Sequence, residues 1–239
     1  MCSQYELKLS IDDLAKLTNA HYDKSLNFEP HIFPYKPAPV ILRENNRNII
    51  KLMNYSLVPA WSKTARPRFS SYNARLDRPA LNDENSRLEL IYQAPTWRTP
   101  FRQQRCLVPI TGFFESCSNG SHAGNIVKFS TQKNSHQTIT LIAAGIWDQW
   151  QDPITQETTH SFAILTDNPN DFILSIGHDR QPVFINSQIA DIWLNYQQLG
   201  VEQAYKLLKN NQSEINYQVS IHRKLKAATQ VIDLFSEFE

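Results

Sequence analysis

Cysteine and glycine are scarce in this 239-residue chain, and each shortage removes a class of protein. Cys2, Cys106 and Cys117 form an odd set without a C-x-x-C pair, which argues against a disulfide framework and a structural zinc site. That usage suits a reducing compartment, with Cys106 and Cys117 as ordinary thiols. Six glycines leave little material for an oxyanion loop, and beside thirteen prolines they imply connections held extended rather than flexible. No run of 18 apolar residues offers a membrane span, and the opening MCSQYELK lacks the basic and apolar regions of an export signal. The expectation is a cytoplasmic protein without membrane contact. Internal repeats, low-complexity tracts, an H-E-x-x-H motif and a Ser-His-Asp constellation are also missing, so general proteolysis has no support. No metal and no cofactor is expected.

What is present begins at Cys2. Removal of Met1 ahead of a small residue turns it into an N-terminus with two nucleophiles on one residue. Its α-amine, with an ordinary pKa of about 7.7–8.0, sits beside a thiol of about 8.5, so a useful fraction of each is unprotonated near neutral pH. Such a 1,2-aminothiol captures aldehydes: the amine gives a Schiff base, and the thiol closes on the same carbon as a five-membered thiazolidine. A Met-Cys opening also arises by chance, so position alone does not decide.

Net charge is only +1, but it is unevenly spread. Arg43, Arg47, Lys51, Lys63, Arg66, Arg68, Arg75 and Arg78 face only Glu44 and Asp77 over the same stretch, a local excess of +6. A phosphate backbone needs such a surface, and a solvated face produces the same count.

The chain reads as α+β, one domain over residues 1–239 with its core at about 2–220 and a C-terminal extension from about 221. Short apolar and β-branched runs at Pro39–Leu42, Cys106–Ile110, Asn125–Phe129, Thr138–Ile146, Ser161–Leu165 and Tyr217–Ile221 predict a mainly antiparallel sheet or distorted barrel. Peripheral helices are expected after a Ser10 cap, with Ile11, Leu14 and Leu17 on one face, and at Ser86–Tyr92, Gln188–Asn195 and Glu202–Leu208. Arg66–Arg105 reads as an irregular excursion over the sheet, and Trp61, Trp147 and Trp150 as core.

Six segments carry a resemblance: MCSQY at the start, YSLVPAW (Tyr55–Trp61), SYNARLDRP (Ser71–Pro79), RCLVPITGFFE (Arg105–Glu115), AGIWDQW (Ala144–Trp150) and GHDRQPV (Gly177–Val183). In order and spacing they resemble the SRAP family, the SOS-response-associated peptidase proteins that shield abasic sites in single-stranded DNA. The resemblance implies that Cys2 traps the C1′ aldehyde of the ring-opened sugar, with Glu115, His178 and Asn73 completing the catalytic set. Glu115 would handle the protons of the Cys2 amine and of carbinolamine collapse, and His178 those of the sugar oxygen. Asn73 would hold the N-terminal residue or the sugar, and Arg75 a flanking phosphate, on one face of an extended segment. Arg78, Gln4, Pro34, Tyr55, Leu57 and Arg180 complete the implied DNA-binding set, Pro34 and Leu57 as a wedge beside the unstacked base. The implied partner is abasic single-stranded DNA, met by a nucleoid-associated monomer. The implied peptidase activity could be limited to exposing Cys2.

Departures from the family pattern fall at Gln4 for an arginine, Tyr55-Ser56 for Trp-Gly, Phe114 and Ser116 around the glutamate, and Gln181 for a methionine. None removes an implied catalytic group. Two other classes stay open: an N-terminal-nucleophile amidohydrolase of the glutaminase kind acting through Cys2, and a non-covalent single-stranded-DNA-binding module using the basic stretch.

Overall fold

The computed structural model describes residues 4–79, 88–131 and 139–225. In chain order the first half runs β1 (Gln4–Glu6), α1 (Ile11–Thr18), β2 (Ala20–His21), β3 (His31–Ile32), β4 (Pro37–Glu44), β5 (Arg47–Tyr55), β6 (Asn73–Arg75), β7 (Asp77–Pro79), β8 (Leu88–Leu90) and α2 (Arg98–Gln103). The second half runs β9 (Arg105–Ile110), β10 (Gly112–Cys117), β11 (Asn125–Ser130), β12 (Leu141–Gln151), β13 (Thr158–Asp167), α3 (Asp171–Ile176), β14 (Gln181–Pro182), α4 (Ser187–Leu194), α5 (Val201–Asn210) and β15 (Gln218–Lys224).

β13, β12, β9, β4 and β5 pair in turn as antiparallel neighbours, and β5 then joins β13 in parallel through Asn54–Ser161 and Tyr55–Phe162. The ring is thereby closed into a small barrel, which leaves these strands without a free edge over that stretch. A second sheet, ordered β15-β11-β10-β1-β3, lies against it, and one apolar cluster runs through both: Tyr5, Phe113 and Phe129 from the second sheet, Ile41, Tyr55 and Phe162 from the barrel. The mixed fold with peripheral helices is the one the sequence implies. Parallel pairings of β13 with β5 and β6 interrupt its antiparallel character.

Helix α1 starts at Ser10, whose hydroxyl accepts from the Asp13 N–H at 3.1 Å, and buries Leu14 and Ala15. Leu17 is exposed instead of joining that face. No helix forms over the described part of Ser86–Tyr92, where Leu88–Leu90 pairs with Asp77–Pro79 as a two-stranded ribbon. Residues 86 and 87 lie outside the described residues, as do residue 138 and the tail from 226.

Two cations, one buried and one half-buried, tie helices to this framework. Arg105 donates to the carbonyls of Phe101 (2.9 Å) and Leu199 (3.2 Å) and lies 4.6 Å from the Trp193 ring centroid, and burial draws its pKa down to about 10. Lys209 of α5 bridges Asp167 (2.8 Å) at the end of β13 and Asp77 (3.2 Å) at the start of β7. Burial disfavours the Lys209 charge, but hydrogen bonds to the two carboxylates outweigh that and raise its pKa. Lys209→Met leaves two carboxylates of 9% and 4% side-chain exposure facing each other without their cation. A loss of about 3 kcal/mol is expected in urea unfolding. Tyr205 and Gln212, which donate to the same carboxylates at 2.8 and 2.6 Å, keep it from being larger. A loss below about 1 kcal/mol marks the bridge as an ordinary surface pair.

Candidate active site

Glu115 stands near the end of β10, 2% exposed, between Phe114 and Ser116. Its Oε2 lies 3.1 Å from Nε2 of His178, itself 6% exposed. Backbone geometry sets this meeting. Asn170 caps α3 by accepting from the Ile173 N–H at 2.9 Å, and the helix closes at Gly177, whose φ is 113°. A Cβ on Gly177 would come within 1.8 Å of the Asn119 carbonyl oxygen, so glycine is required for the close approach as well as for the φ. The turn after β10 can therefore pack on the end of α3, and the residue after Gly177 is delivered to Glu115.

The Nδ1 of His178 is 3.3 Å from the Ser116 carbonyl oxygen. A carbonyl only accepts, so this contact suits a proton on Nδ1 and turns Nε2 toward the Glu115 carboxyl. The pair is a carboxyl and an imidazole in hydrogen-bonding contact, both buried. Cys117, one face-repeat along β10, is buried, and burial and then the Glu115 charge push its thiol pKa up. Cys106 is fully buried and its thiol is pushed far up by desolvation, so neither is a competing nucleophile.

Two of the motif segments converge on the end of β13. Thr166 pairs with Arg75 of β6 on one side and with Pro182 of β14 on the other, which brings NAR and GHDRQP to one place. Strand β6 is extended, so Asn73 (9% exposed) and Arg75 share a face. Arg75 donates from Nη2 to Asn168 Oδ1 at 2.8 Å, which fixes the guanidinium beside the β13 terminus. Gln4 opens β1 opposite Phe114, one residue before Glu115. Cys2 lies outside the described residues.

Other residues fall elsewhere. Tyr55 and Leu57 are fully buried, Tyr55 edge-on to Tyr5 at 5.2 Å, so they are barrel core and present no surface to DNA. Arg78 is engaged by Glu89 at 2.6 Å on the β7–β8 ribbon. Arg43 and Lys51 pair with Asp191 and Glu44, so the basic stretch is not one continuous patch. Arg180 is half-buried with Nε 3.8 Å from Asp179, and Pro34 is half-buried in the turn after β3. Trp150 is core and donates to the Ser62 carbonyl at 2.7 Å, while Trp147 is partly buried. Trp61 is 59% exposed and stacks on Phe69 with centroids 6.2 Å apart, contrary to its expected burial. Its loop hangs from the barrel by backbone bonds, Val58 N–H to Ser161 Oγ (2.7 Å) and Ala60 N–H to Asp148 Oδ2 (2.9 Å), which leaves the indole outside. Ser56 has φ 109°, a conformation suited to the glycine it replaces, and its hydroxyl meets that of Ser71 at 3.0 Å. Asn168 and Gly177 are contributors that sequence reading did not single out.

Residues 1–225 match the family described as SOS response associated peptidase (SRAP). The chain belongs to the SRAP family. Relatives within reach of it include the abasic site processing proteins YoqW and YoaM of Bacillus subtilis. Each is 23% identical to this chain over 82% of its length, covering 80% and 79% of theirs. The chicken protein HMCES, also named an abasic site processing protein, is 20% identical over 74% of this chain and 56% of its own. A solved structure of a Bacteroides thetaiotaomicron protein shares the fold, with a TM-score of 0.69 at 19% identity over 93% of this chain and 92% of that one. No helix among the described residues is long and apolar enough to cross a membrane.

Proposed function

We propose that this SRAP protein processes abasic sites in single-stranded DNA by forming a thiazolidine between Cys2, freed of Met1, and C1′ of the ring-opened sugar. The names of its relatives support the substrate class. The observation that carries the mechanism is the buried Glu115–His178 pair beside the start of β1. Two residues span at most about 7 Å, so the chain between Gln4 and Cys2 is long enough for the thiol to be brought to that pair and short enough to keep the search small.

The chemistry follows from the groups present. A carboxylate takes a proton from the Cys2 ammonium, the free amine adds to the aldehyde, and the carbinolamine loses water to leave an imine. The thiol then adds across the C=N bond, its proton moving to nitrogen, and closes the ring with no oxidant or cofactor. His178, in contact with Glu115, serves the sugar oxygen as the furanose opens. Asn73 orients the N-terminal residue or the sugar. Arg75, steadied by Asn168, holds a phosphate, and the exposed Trp61–Phe69 pair with Lys63, Arg66 and Arg68 offers a stacking, basic path for the strand.

Intact mass spectrometry after incubation with abasic single-stranded DNA tests the reading. The expected mass is the Met1-free protein plus one oligonucleotide, less water. Binding without a covalent mass sinks the Cys2 mechanism in favour of a non-covalent module, and ammonia release from glutamine favours the amidohydrolase reading.

Arg75→Ala is expected to weaken binding and to flatten the logarithmic salt dependence by about 0.7, one phosphate's share on a single strand. Fluorescence anisotropy across a salt series measures it. An unchanged slope confines Arg75 to its contact with Asn168.

A further inference from the structure

One face of the second sheet carries rings where an exposed strand face ordinarily carries small polar residues. Phe33 stacks on His31 with centroids 4.4 Å apart and planes at 24°, and His31 stacks on Phe114 at 4.8 Å and 20°. His222 of β15 closes edge-on against Phe114 at 4.7 Å. The result is a three-ring column rising from the sheet: Phe114 at its base is 1% exposed, His31 in the middle is half-buried, and Phe33 on top is 42% exposed. Burial holds the His31 imidazole below its ordinary pKa, so the middle ring is neutral at neutral pH and stacks as an uncharged aromatic.

Position and charge indicate what the top ring meets. Ile32 pairs with Tyr5, so Phe33 continues alongside Gln4, about one strand spacing away. Gln4 is separated from Cys2 by a chain span of at most about 7 Å. The surroundings are basic: Lys8 and Lys128 flank the column, sharing the single carboxylate of Glu6, and Arg223 and Lys224 follow His222. Aromatic stacking beside cations and close to a sugar-binding residue suits a nucleotide of single-stranded DNA.

We infer that Phe33 caps a stacking platform for a nucleobase adjacent to the lesion, so that the strand is gripped on the second sheet while its abasic sugar reaches Cys2. The inference rests on the site being one for abasic single-stranded DNA. It adds a base-binding position that Glu115, His178, Asn73 and Arg75 do not supply.

The test uses abasic oligonucleotides with 2-aminopurine one or two nucleotides to either side of the lesion. One of these positions is quenched on binding to the wild-type protein, and Phe33→Ala restores its fluorescence. In single-turnover adduct formation the same variant raises the half-saturating DNA concentration about five- to a hundredfold, the range of one base–aromatic stack, while the saturating rate is kept. Phe33→Leu keeps apolar area without a ring and behaves as the alanine variant does. Matched thermal melts confirm that both variants are folded. If the wild type forms no adduct, the reading of the site fails. If the adduct forms but no 2-aminopurine responds to Phe33, or Phe33→Leu quenches as well as the wild type, the platform is excluded.

Discussion

The Cys2→Ala variant is expected to leave no abasic-DNA adduct that survives boiling and denaturing electrophoresis, against near-complete shift for the wild-type protein. Alanine is as small as cysteine, so Met1 is still removed and the α-amine is still free. That amine can form an imine. An imine hydrolyses readily in water, whereas the thiazolidine adds a C–S bond and closes a ring, so durability belongs to the thiol. Borohydride separates the two: it converts the variant's imine into a stable secondary amine, and a band appears only then. A band of wild-type strength without borohydride excludes the ring.

The second large effect is expected at Glu115. Glu115→Gln keeps size and hydrogen-bonding shape but cannot take up or release a proton, and adduct formation should slow roughly 10²–10⁴-fold, the usual worth of a positioned acid–base group. The 3.1 Å contact makes a second demand. Groups that pass one proton act as a unit, so adding His178→Ala to Glu115→Gln should cost little beyond the worse single variant. His178→Ala alone should slow both formation from the closed sugar and release of a preformed adduct, since ring opening and ring closure are one step in opposite directions. Transfer to a competing labelled abasic strand measures release. Strictly multiplicative losses give the two residues separate proton routes.

The contact between Glu115 and His178 joins two segments that the resemblance singled out, TGFFE and GHDRQPV, and their spacing in the chain needs no knowledge of contacts. What joins the pair was less visible. Gly177 opens the GHDRQPV segment, and nothing in the sequence shows the Asn119 carbonyl that lies against it. Asn168 lies in DNPN, which reads as turn chemistry, and its bond to Arg75 spans 93 residues of chain. Leu88–Leu90 shows the limit of periodicity over short windows: Leu-Glu-Leu-Ile fits a helical face and an alternating strand equally well, and pairing with Asp77–Pro79 decided for the strand. Trp61 failed for another reason. Hydrophobicity alone argues for burial, but the loop's anchors are backbone amides and Trp150, so nothing pulls the indole inward.

Ser56 and Ser71 join the two ends of that loop, by their hydroxyls and through the Leu57 N–H to the Ser71 carbonyl at 3.0 Å. A segment clasped at its base enters and leaves the barrel at one point, so side chains along it can change while Asn73, two residues beyond the clasp, keeps its place in β6. In the proposed reading, substitutions at Lys63, Arg66, Arg68 or Phe69 alter the strength of DNA binding and leave the position of Asn73 unchanged.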